Sequence, residues 1–471
     1  MSTIDMDERR WLVAAAALGL LAGASVFLTQ VSVLLAAATL AALALLAALL
    51  MGWPFSGVVA LILAALITRY RIDIGPVTVR PEHVAAVVVA GVGFLQLGLE
   101  RRAPRVTAAI GFAVAWWVAN LISGIWLHPD RFMGLQNVLR IALLPLTFFL
   151  VFNLIPNARA WHQAVVFFLA AGLAEAAFGI LARAVYPFGI NLGVQVAWNF
   201  PVPVPYGTFE EGNLFGSHSA SWAILLLMIL LAAAQARAPR KHQLMRMLGL
   251  GVLLMAVGLS MSRAAWIMLV IGATAVIIFE RPSPWSQVNR LLLAAIALPM
   301  LIFILFSITP YLPPTLPFVN RLQSFLNLEY DPTFSARLSD WSLALQDWRE
   351  RPFTGWGPGS FFALHGYLRA RPAWISNLTV RLLQETGVMG LITFAGFFIT
   401  LLAPGIKVAR QQGNVMKRGM LLGLVISYAA LVGLAYQSTD GIWLTASWVH
   451  AGLIAAGTYV LRKDQRLKIK D

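Results

Sequence analysis

Long apolar runs recur from residue 11 to residue 462, and this feature limits the possible folds of the chain most strongly. A helix needs about 20 predominantly apolar residues to cross a bilayer. The composition agrees, with 59% hydrophobic and only 12% charged residues. The runs therefore predict an all-α polytopic membrane protein with about 12 to 14 transmembrane helices. The candidate spans are residues 11–28, 31–51, 55–69, 84–99, 106–126, 135–154, 159–187, 218–236, 243–260, 263–280, 289–309, 377–404, 416–435 and 441–462.

The polar segments between these runs are short, with one exception. Only residues 310–376 are long enough to form a structure of their own, so we predict a single transmembrane domain, 1–471, that contains one large loop. The first apolar run has no small-residue cleavage site after it, which favours a retained helix over a signal peptide. The absence of cysteine excludes disulfides, thiolate metal sites and cysteine nucleophiles.

The formal charge of +15 would suggest nucleic acid in a soluble protein, but here the basic residues cluster at the ends of apolar runs. Such clusters indicate membrane topology instead of nucleic-acid binding. They fall on one side if both termini are cytoplasmic, and they are Arg101, Arg102, Arg105, Arg237, Arg240, Lys241, Arg246, Lys407, Arg410, Lys417, Arg418 and the tail from Arg462 to Lys470. Arg69, Arg71 and Arg80 are exceptions that this topology places outside. The same topology places residues 188–217, the large loop and the turn at Arg263 together on the outer face.

The large loop contains a predicted amphipathic helix. Its apolar residues recur at helical spacing, and its charged residues occupy other faces, which predicts a helix lying on the membrane or on the spans beneath it. The apolar set is Leu338, Trp341, Leu345 and Trp348, and the charged set is Arg337, Asp340, Asp347 and Arg351. Pro352 and the following sequence GWGPGSF end this helix, and His365 follows the glycines.

Three groups of residues are candidates for chemistry. Asn213 and His218 lie in PYGTFEEGNLFGSHSASW, where a helix start attracts anions but also needs ordinary capping. Arg263 stands at a membrane boundary, where it could reach phospholipid headgroups or bind a diphosphate with its fork of donors. His365 is the only histidine between residues 243 and 449, and a lone histidine is often structural.

Four fragments carry a resemblance to a known family. They are GTFEEGN at 207–213, SRAAW at 262–266, SARLSDW at 335–341, and the stretch from GWGPGSF to NLTVRLLQETGVMG, which ends at residue 390. In this order they resemble the O-antigen ligase and polymerase superfamily, and most closely its ligase branch. The resemblance implies a bacterial inner-membrane enzyme that moves a glycan from undecaprenyl diphosphate to a hydroxyl of the lipid A-core oligosaccharide on the periplasmic side.

The resemblance assigns roles to the candidate residues. The developing charge on a diphosphate leaving group requires fixed cations, for which Arg263 and Arg337 are suited, with His218 as a third donor. A neutral hydroxyl acceptor requires a base, and the histidine role passes to His365 because the family's His-Asn position here reads Ser376-Asn377. Asn213, Ser376 and Asn377 are further candidate substrate contacts. Direct attack would invert the anomeric centre.

No cofactor and no metal are expected. The only Asp-x-Asp is Asp5-Met6-Asp7 in the N-terminal tail, and Glu329 and Asp331 are an isolated acidic pair. The expected partners are the undecaprenyl-diphosphate-linked glycan, the lipid A-core oligosaccharide and membrane lipids, without nucleic acid. Sequence leaves open an O-antigen polymerase or a protein O-oligosaccharyltransferase of the same superfamily. A transporter is a further alternative, although transporters place polar residues at mid-membrane.

Overall fold

The computed structural model describes residues 55–74, 77–99, 103–197, 200–279, 332–368, 371–439 and 441–468. These residues form thirteen α-helices and three short antiparallel hairpins. The helices are α1 (Phe55–Leu66), α2 (Pro81–Leu99), α3 (Ala108–Ile122), α4 (Arg131–Leu154), α5 (Ala158–Val185), α6 (Gly212–Gln235), α7 (Arg240–Leu259), α8 (Arg263–Phe279), α9 (Pro332–Glu350), α10 (Ser360–His365), α11 (Leu378–Gln411), α12 (Val415–Gly433) and α13 (Thr445–Lys468). The hairpins are β1 (Ile72–Ile74) with β2 (Val77–Val79), β3 (Val194–Ala197) with β4 (Phe200–Pro205), and β5 (Tyr367–Leu368) with β6 (Arg371–Pro372).

The all-α polytopic architecture predicted from the apolar runs is confirmed. In the described part of the chain, seven helices are long and apolar enough to cross a membrane, and three shorter ones are also apolar. Helix α13 also belongs to the bundle, and its residues from Ala446 to Ala456 are buried. The spans predicted at 11–28, 31–51 and 289–309 lie outside the described residues, as do residues 310–331 of the large loop.

Aromatic rings fill the centre of the bundle. The indole of Trp116 on α3 stacks on Trp448 of α13 at 5.4 Å, and Phe397 of α11 stacks on Trp448 at 5.0 Å. Close helix approach depends on small residues, as is common where lipid removes most of the hydrophobic driving force. A Cβ at Gly172 of α5 would lie 2.3 Å from the indole of Trp222, so these helices could not pack with a larger residue there.

The long helices alternate in direction, which gives the bundle two chemically different ends. We call one the loop end, formed by the described residues of 67–80, 123–130, 186–211, 260–262, 332–377 and 434–444. We call the other the basic end, formed by 103–107, 155–160, 236–246, 407–418 and 462–468. Among described residues, Asp464 is the only carboxylate at the basic end, where it pairs with Lys417. The segments expected to share one face do meet at the loop end.

Arg69, Arg71 and Arg80, the basic residues that the predicted topology places on the outer side, also lie at the loop end. The Nη1 atom of Arg69 donates to the carbonyl of Leu192 at 3.2 Å, and its backbone N–H donates to Thr208. Arg80 forms an ion pair with Glu210 at 2.5 Å. These contacts tie the β1–β2 hairpin to the segment before α6, so Arg69 and Arg80 are held by protein groups.

Helix α9 is present as predicted, and part of its charged face is buried. The buried positions are Asp340, Ala344 and Asp347, whereas Leu338 of the predicted apolar face is 46% exposed. That the apolar face lies on the membrane or on the spans beneath it stays a prediction. Burial of the two carboxylates is tolerated because each has a cationic or imidazole partner, Arg371 for Asp340 and His365 for Asp347.

Candidate functional site

The first feature of the loop end is a break within α11. Gly387 has φ 64° and ψ −163°, a conformation that residues with a Cβ rarely adopt. A Cβ at this position would also lie 2.3 Å from the carbonyl carbon of Phe353. Glycine is therefore required here both by its backbone angles and by the close approach of another chain segment.

The segment that approaches the break contains the glycine turn, residues 355–359. It exchanges four backbone hydrogen bonds with α11, which satisfy the polar groups that the break exposes. The bonds run from Trp356 N to Gln384 O at 2.9 Å, Gly357 N to Glu385 O at 2.7 Å, Val388 N to Pro352 O at 2.9 Å and Met389 N to Phe353 O at 3.2 Å. The GWGPG sequence is thus explained by docking onto a broken helix.

The glycine turn also docks on the corner between α3 and α4. That corner begins with a π-helical turn, Ser123–Leu127, a local widening that is frequent at functional sites. Arg351 Nη1 donates to Leu127 O at 2.8 Å, and Asn137 Nδ2 donates to Pro358 O at 2.9 Å. The Ser123 hydroxyl donates to the carbonyl of Thr354. The start of α10 is therefore held from two sides.

His128 lies beneath this turn and was missed by the sequence analysis. Its ring is buried, its Nδ1 accepts a hydrogen bond from the backbone N–H of Asp130 at 3.0 Å, and a Cβ at Gly357 would lie 3.1 Å from its Cδ2. Burial lowers the pKa of His128 below its usual value. A neutral ring with Nδ1 as acceptor carries its proton on Nε2, which has no hydrogen-bond partner among the described residues.

His365, at the end of α10, forms a hydrogen-bonded pair with a buried carboxylate at the loop end. Its Nε2 lies 2.9 Å from Oδ2 of Asp347 on α9, and the imidazole side chain is 20% exposed. The ring packs against Phe361 at a centroid distance of 4.8 Å. A carboxylate that accepts from one imidazole nitrogen leaves the other nitrogen available as a base.

Asp347, the partner of His365, was not among the site residues predicted from the sequence. It is 9% exposed, and besides His365 it accepts a weak hydrogen bond from Gln384 Nε2 at 3.4 Å. The carbonyl of the same residue accepts from Trp356 Nε1 at 2.8 Å. The available signal was the spacing of Asp340 and Asp347, because residues seven apart share one helix face.

A second charged pair lies on the first turns of α11. Arg381 Nε donates to Oε1 of Glu385 at 2.8 Å, and the backbone N–H of Gly359 donates to the same oxygen at 2.8 Å. Glu385 is 2% exposed. Its two donors come from α11 and from the glycine turn, so this carboxylate links the broken helix to the start of α10.

Arg263 and Arg337, the predicted diphosphate ligands, both lie near the N-terminal end of α9. Arg263 Nη2 lies 3.5 Å from the Thr333 hydroxyl, and Thr333 is one helical turn before Arg337. Arg337 is half-buried. Ten residues separate Arg337 from Asp347, which corresponds to about 15 Å along the helix axis. The cation pair and the His365–Asp347 pair thus occupy opposite parts of α9.

His218 lies apart from both groups, inside the bundle. It is 2% exposed, its Nε2 lies 3.2 Å from the hydroxyl of Tyr436, and its ring stacks on Phe209 at 4.9 Å. Tyr436 is in turn hydrogen-bonded to Ser447 at 2.5 Å. This environment is typical of a structural histidine with a satisfied ring nitrogen. Asn213 is half-buried one turn earlier on α6.

Ser376 and Asn377 are engaged in local structure. Asn377 caps α11 by accepting from Val380 N at 3.0 Å, and its Nδ2 donates to Gln437 O at 3.0 Å. The Ser376 hydroxyl accepts from Trp341 Nε1 at 3.3 Å. These contacts fix the segment that leads from His365 into the membrane.

The glutamates near Asn213 also have structural partners. Glu211 accepts from the Thr439 hydroxyl at 2.6 Å, which joins the start of α6 to the segment before α13. Glu175, an acid inside a predicted span, accepts from both the N–H and the hydroxyl of Thr208 at 2.7 Å. Pairing of Glu175 with a loop backbone explains its position within α5.

No group of three or more His, Asp or Glu side chains converges among the residues that the structure describes. Glu329 and Asp331 lie outside those residues. The positive groups at the loop end are arginines, which are permanently charged and suit phosphate oxygens.

A comparison with known protein families finds a match in the second half of the chain. Residues 248–395 match the family model described as O-antigen ligase, a region that runs from α7 to the middle of α11 and includes Arg263, Arg337, Asp347 and His365. No curated protein matches the chain significantly.

Proposed function

Because residues 248–395 of this polytopic helical chain match the family model described as O-antigen ligase, we propose that the protein is a lipid-linked glycan transferase of the O-antigen ligase and polymerase superfamily. Its proposed reaction moves a glycan from undecaprenyl diphosphate to a hydroxyl of the lipid A-core oligosaccharide. The reaction belongs to lipopolysaccharide biosynthesis.

The observation that carries this proposal is the His365–Asp347 pair within the matched region. A sugar hydroxyl is a weak nucleophile, and a base that removes its proton during attack contributes about 10² to 10⁴ in rate. In the proposed reaction, His365 takes the proton through the ring nitrogen not bound to Asp347. Asp347 holds the ring orientation and stabilises the imidazolium that forms. Direct displacement by the acceptor oxygen inverts the anomeric centre.

Arg263 and Arg337 are the proposed ligands of the diphosphate. The expected distance from the base to the cations is roughly 12 to 14 Å. It is the sum of one hydrogen bond of about 3 Å from the base to the acceptor hydroxyl, an attack distance of about 3 Å, the bonds from the anomeric carbon through the phosphate, and a second hydrogen bond of about 3 Å to a guanidinium. Arg337 and Asp347, the partner of the proposed base, are about 15 Å apart along the axis of α9, which leaves room for the reacting groups between them. Fixed guanidinium groups would stabilise the leaving charge, so the scheme requires no metal. His218 is a less suitable diphosphate ligand because it is buried and hydrogen-bonded to Tyr436.

The proposed orientation puts the basic end in the cytoplasm and the loop end in the periplasm of a bacterial inner membrane, with both termini cytoplasmic. It is supported by the excess of Lys and Arg at the basic end. Tyr367 is 70% exposed, and Gln411 is exposed at the opposite end. Since the chain has no cysteine, Tyr367→Cys should react with a membrane-impermeant thiol reagent in intact spheroplasts, whereas Gln411→Cys should react only after lysis. The reverse pattern would refute the orientation.

The reaction is tested with purified protein in detergent, lipid-linked glycan and lipid A-core, followed by detection of the joined product. Omission of lipid A-core tests the polymerase alternative, in which the lipid-linked glycan itself lengthens. A protein acceptor tests the O-oligosaccharyltransferase alternative. Detergent removes the separate compartments that transport requires, so any joined product excludes a pure transporter. Failure to join glycan to lipid A-core, with either alternative product present, would replace the ligase assignment.

The role of Arg263 is tested in the same assay. Arg263→Lys keeps the charge but loses the two-pronged donor geometry, so transfer should fall and the apparent KM for donor should rise. Arg240→Lys, a matched change at the basic end, should leave both unchanged. Wild-type kinetics in Arg263→Lys would remove this residue from the diphosphate site.

A further inference from the structure

A column of alternating rings and charge rises from the bundle interior to the surface beside His365. The guanidinium carbon of Arg381 lies 4.6 Å from the ring centroid of Trp443 and 5.3 Å from that of Trp374. Trp443 in turn contacts Trp116 of the aromatic core at 5.5 Å. Exposure increases along the column, from Trp116 at 0% to Trp374 at 46%.

Hydrogen bonds hold Arg381, the residue between the two indoles, in place. Arg381 is fixed by Glu385, whose carboxylate also receives the N–H of Gly359. A guanidinium over an indole is attracted by the negative face of the ring. The ring of Trp374 is therefore held in place before any ligand arrives, which lowers the entropic cost of binding.

The segment around Trp374 alternates between buried and exposed positions. Ala373 and Ile375 are 5% and 3% exposed and pack toward Ala344 of α9, so Trp374 between them points away from that helix. The backbone N–H of Ala373 donates to the carbonyl of Gly366 at 2.8 Å, and Gly366 directly follows His365. The β5–β6 hairpin therefore brings the exposed indole of Trp374 back near His365, the proposed base.

We propose that Trp374 is the stacking platform of a saccharide subsite, with Arg381 and Trp443 as its support. A pyranose ring has a flat face of C–H groups and a polar rim, and a rigid exposed indole offers matching apolar area at low entropic cost. The position next to His365 favours a sugar of the reacting glycans over a lipid headgroup as occupant. This inference rests on the proposed transferase function, because that function supplies the saccharide.

The test separates binding from transfer. The full chain in phosphatidylcholine nanodiscs is titrated with two lipid-free probes, the oligosaccharide released from lipid A-core and the glycan released from the lipid-linked donor. Trp374→Ala should weaken binding of one probe about five- to tenfold, and Trp374→Phe should restore most of the affinity. The probe affected identifies the subsite as acceptor-side or donor-side. The control is Trp126→Ala, which removes an indole that is 65% exposed at the same end of the bundle.

Three results would overturn the subsite. The first is absence of binding of either probe to the parent chain at millimolar concentration. The second is equal affinity in Trp374→Ala and the parent. The third is a loss of brominated-lipid quenching in Trp374→Phe relative to the parent, together with unchanged saccharide affinity, which would assign the indole to the membrane interface. Because no transfer is measured, loss of the subsite leaves the transferase assignment standing, and Trp374-dependent binding without transfer supports the subsite alone.

Discussion

His365 and His218 lie in two regions of the molecule, and their imidazoles differ in exposure and in hydrogen-bond partner. His365 lies at the loop end, 20% exposed, with a carboxylate on one ring nitrogen. His218 lies on α6 against the segment before α13, 2% exposed, among aromatic rings and with the hydroxyl of Tyr436 as partner. A base must reach both a substrate and a group that stabilises its charged form. Only the first environment provides both, so exposure and partner chemistry, more than residue type, separate the two candidates.

The largest effect is expected at His365. His365→Gln keeps a hydrogen-bonding amide but cannot take a proton, so transfer should fall by about 10² to 10⁴ while donor binding persists. Steady-state transfer and donor binding are measured at matched amounts of folded protein. His242→Gln at the basic end is the matched control. Near-normal transfer by His365→Gln would show that His365 is not the base and that it does not differ from His218 in this respect.

A smaller effect is expected at Asp347. Asp347→Asn preserves shape but no longer stabilises the imidazolium and can hold the wrong tautomer, so kcat should fall about ten- to a hundredfold. The apparent KM values should change little, because Asp347 contacts the base and not the substrate. Asp340→Asn, a buried carboxylate on the same helix face, provides the comparison. Equal losses of kcat in both variants would indicate a general effect on α9.

At His218 the expected effect is on stability. His218→Phe fills most of the volume but removes the hydrogen bond to Tyr436, which still has Ser447 as partner. The loss of one buried hydrogen bond should lower Tm by about 1 to 2 °C in a chain of this length. Transfer per folded molecule should stay within about threefold, since general-base catalysis is absent there. A marked rise in the KM for donor would restore His218 as a diphosphate ligand.

The smallest effect is expected from chelation. In the proposed scheme arginines at the loop end meet the leaving charge, so EDTA should change transfer by less than about twofold. The measurement is the initial rate before and after dialysis against chelator, with and without added Mg²⁺. Loss of activity that a divalent ion restores would direct attention to Glu329 and Asp331.

Most of the helices could be predicted from the sequence because lipid imposes one rule on every span. The run at 135–154 became α4 and the run at 159–187 became α5, since each is apolar beyond the length needed for crossing. Helix ends were extended by caps, such as Asp130 before α4 and Asn157 before α5. The break at Gly387 was missed, because an apolar run shows no local sign that its backbone will open where another segment docks.

The sequence by itself determined that the chain is a helical membrane protein, that its polar segments gather at one end, and that His365 follows a glycine turn there. These three features follow from local composition, or from the rule that successive membrane spans run in opposite directions. Only the tertiary structure decided that Asp347 faces His365, that Arg263 lies against the N-terminal end of α9, and that His218 is buried. These are contacts between segments far apart in the chain, and hydrophobic periodicity does not specify which neighbour a polar side chain will meet. Burial and pairing are properties of the packed bundle, so they appear only once the helices are assembled.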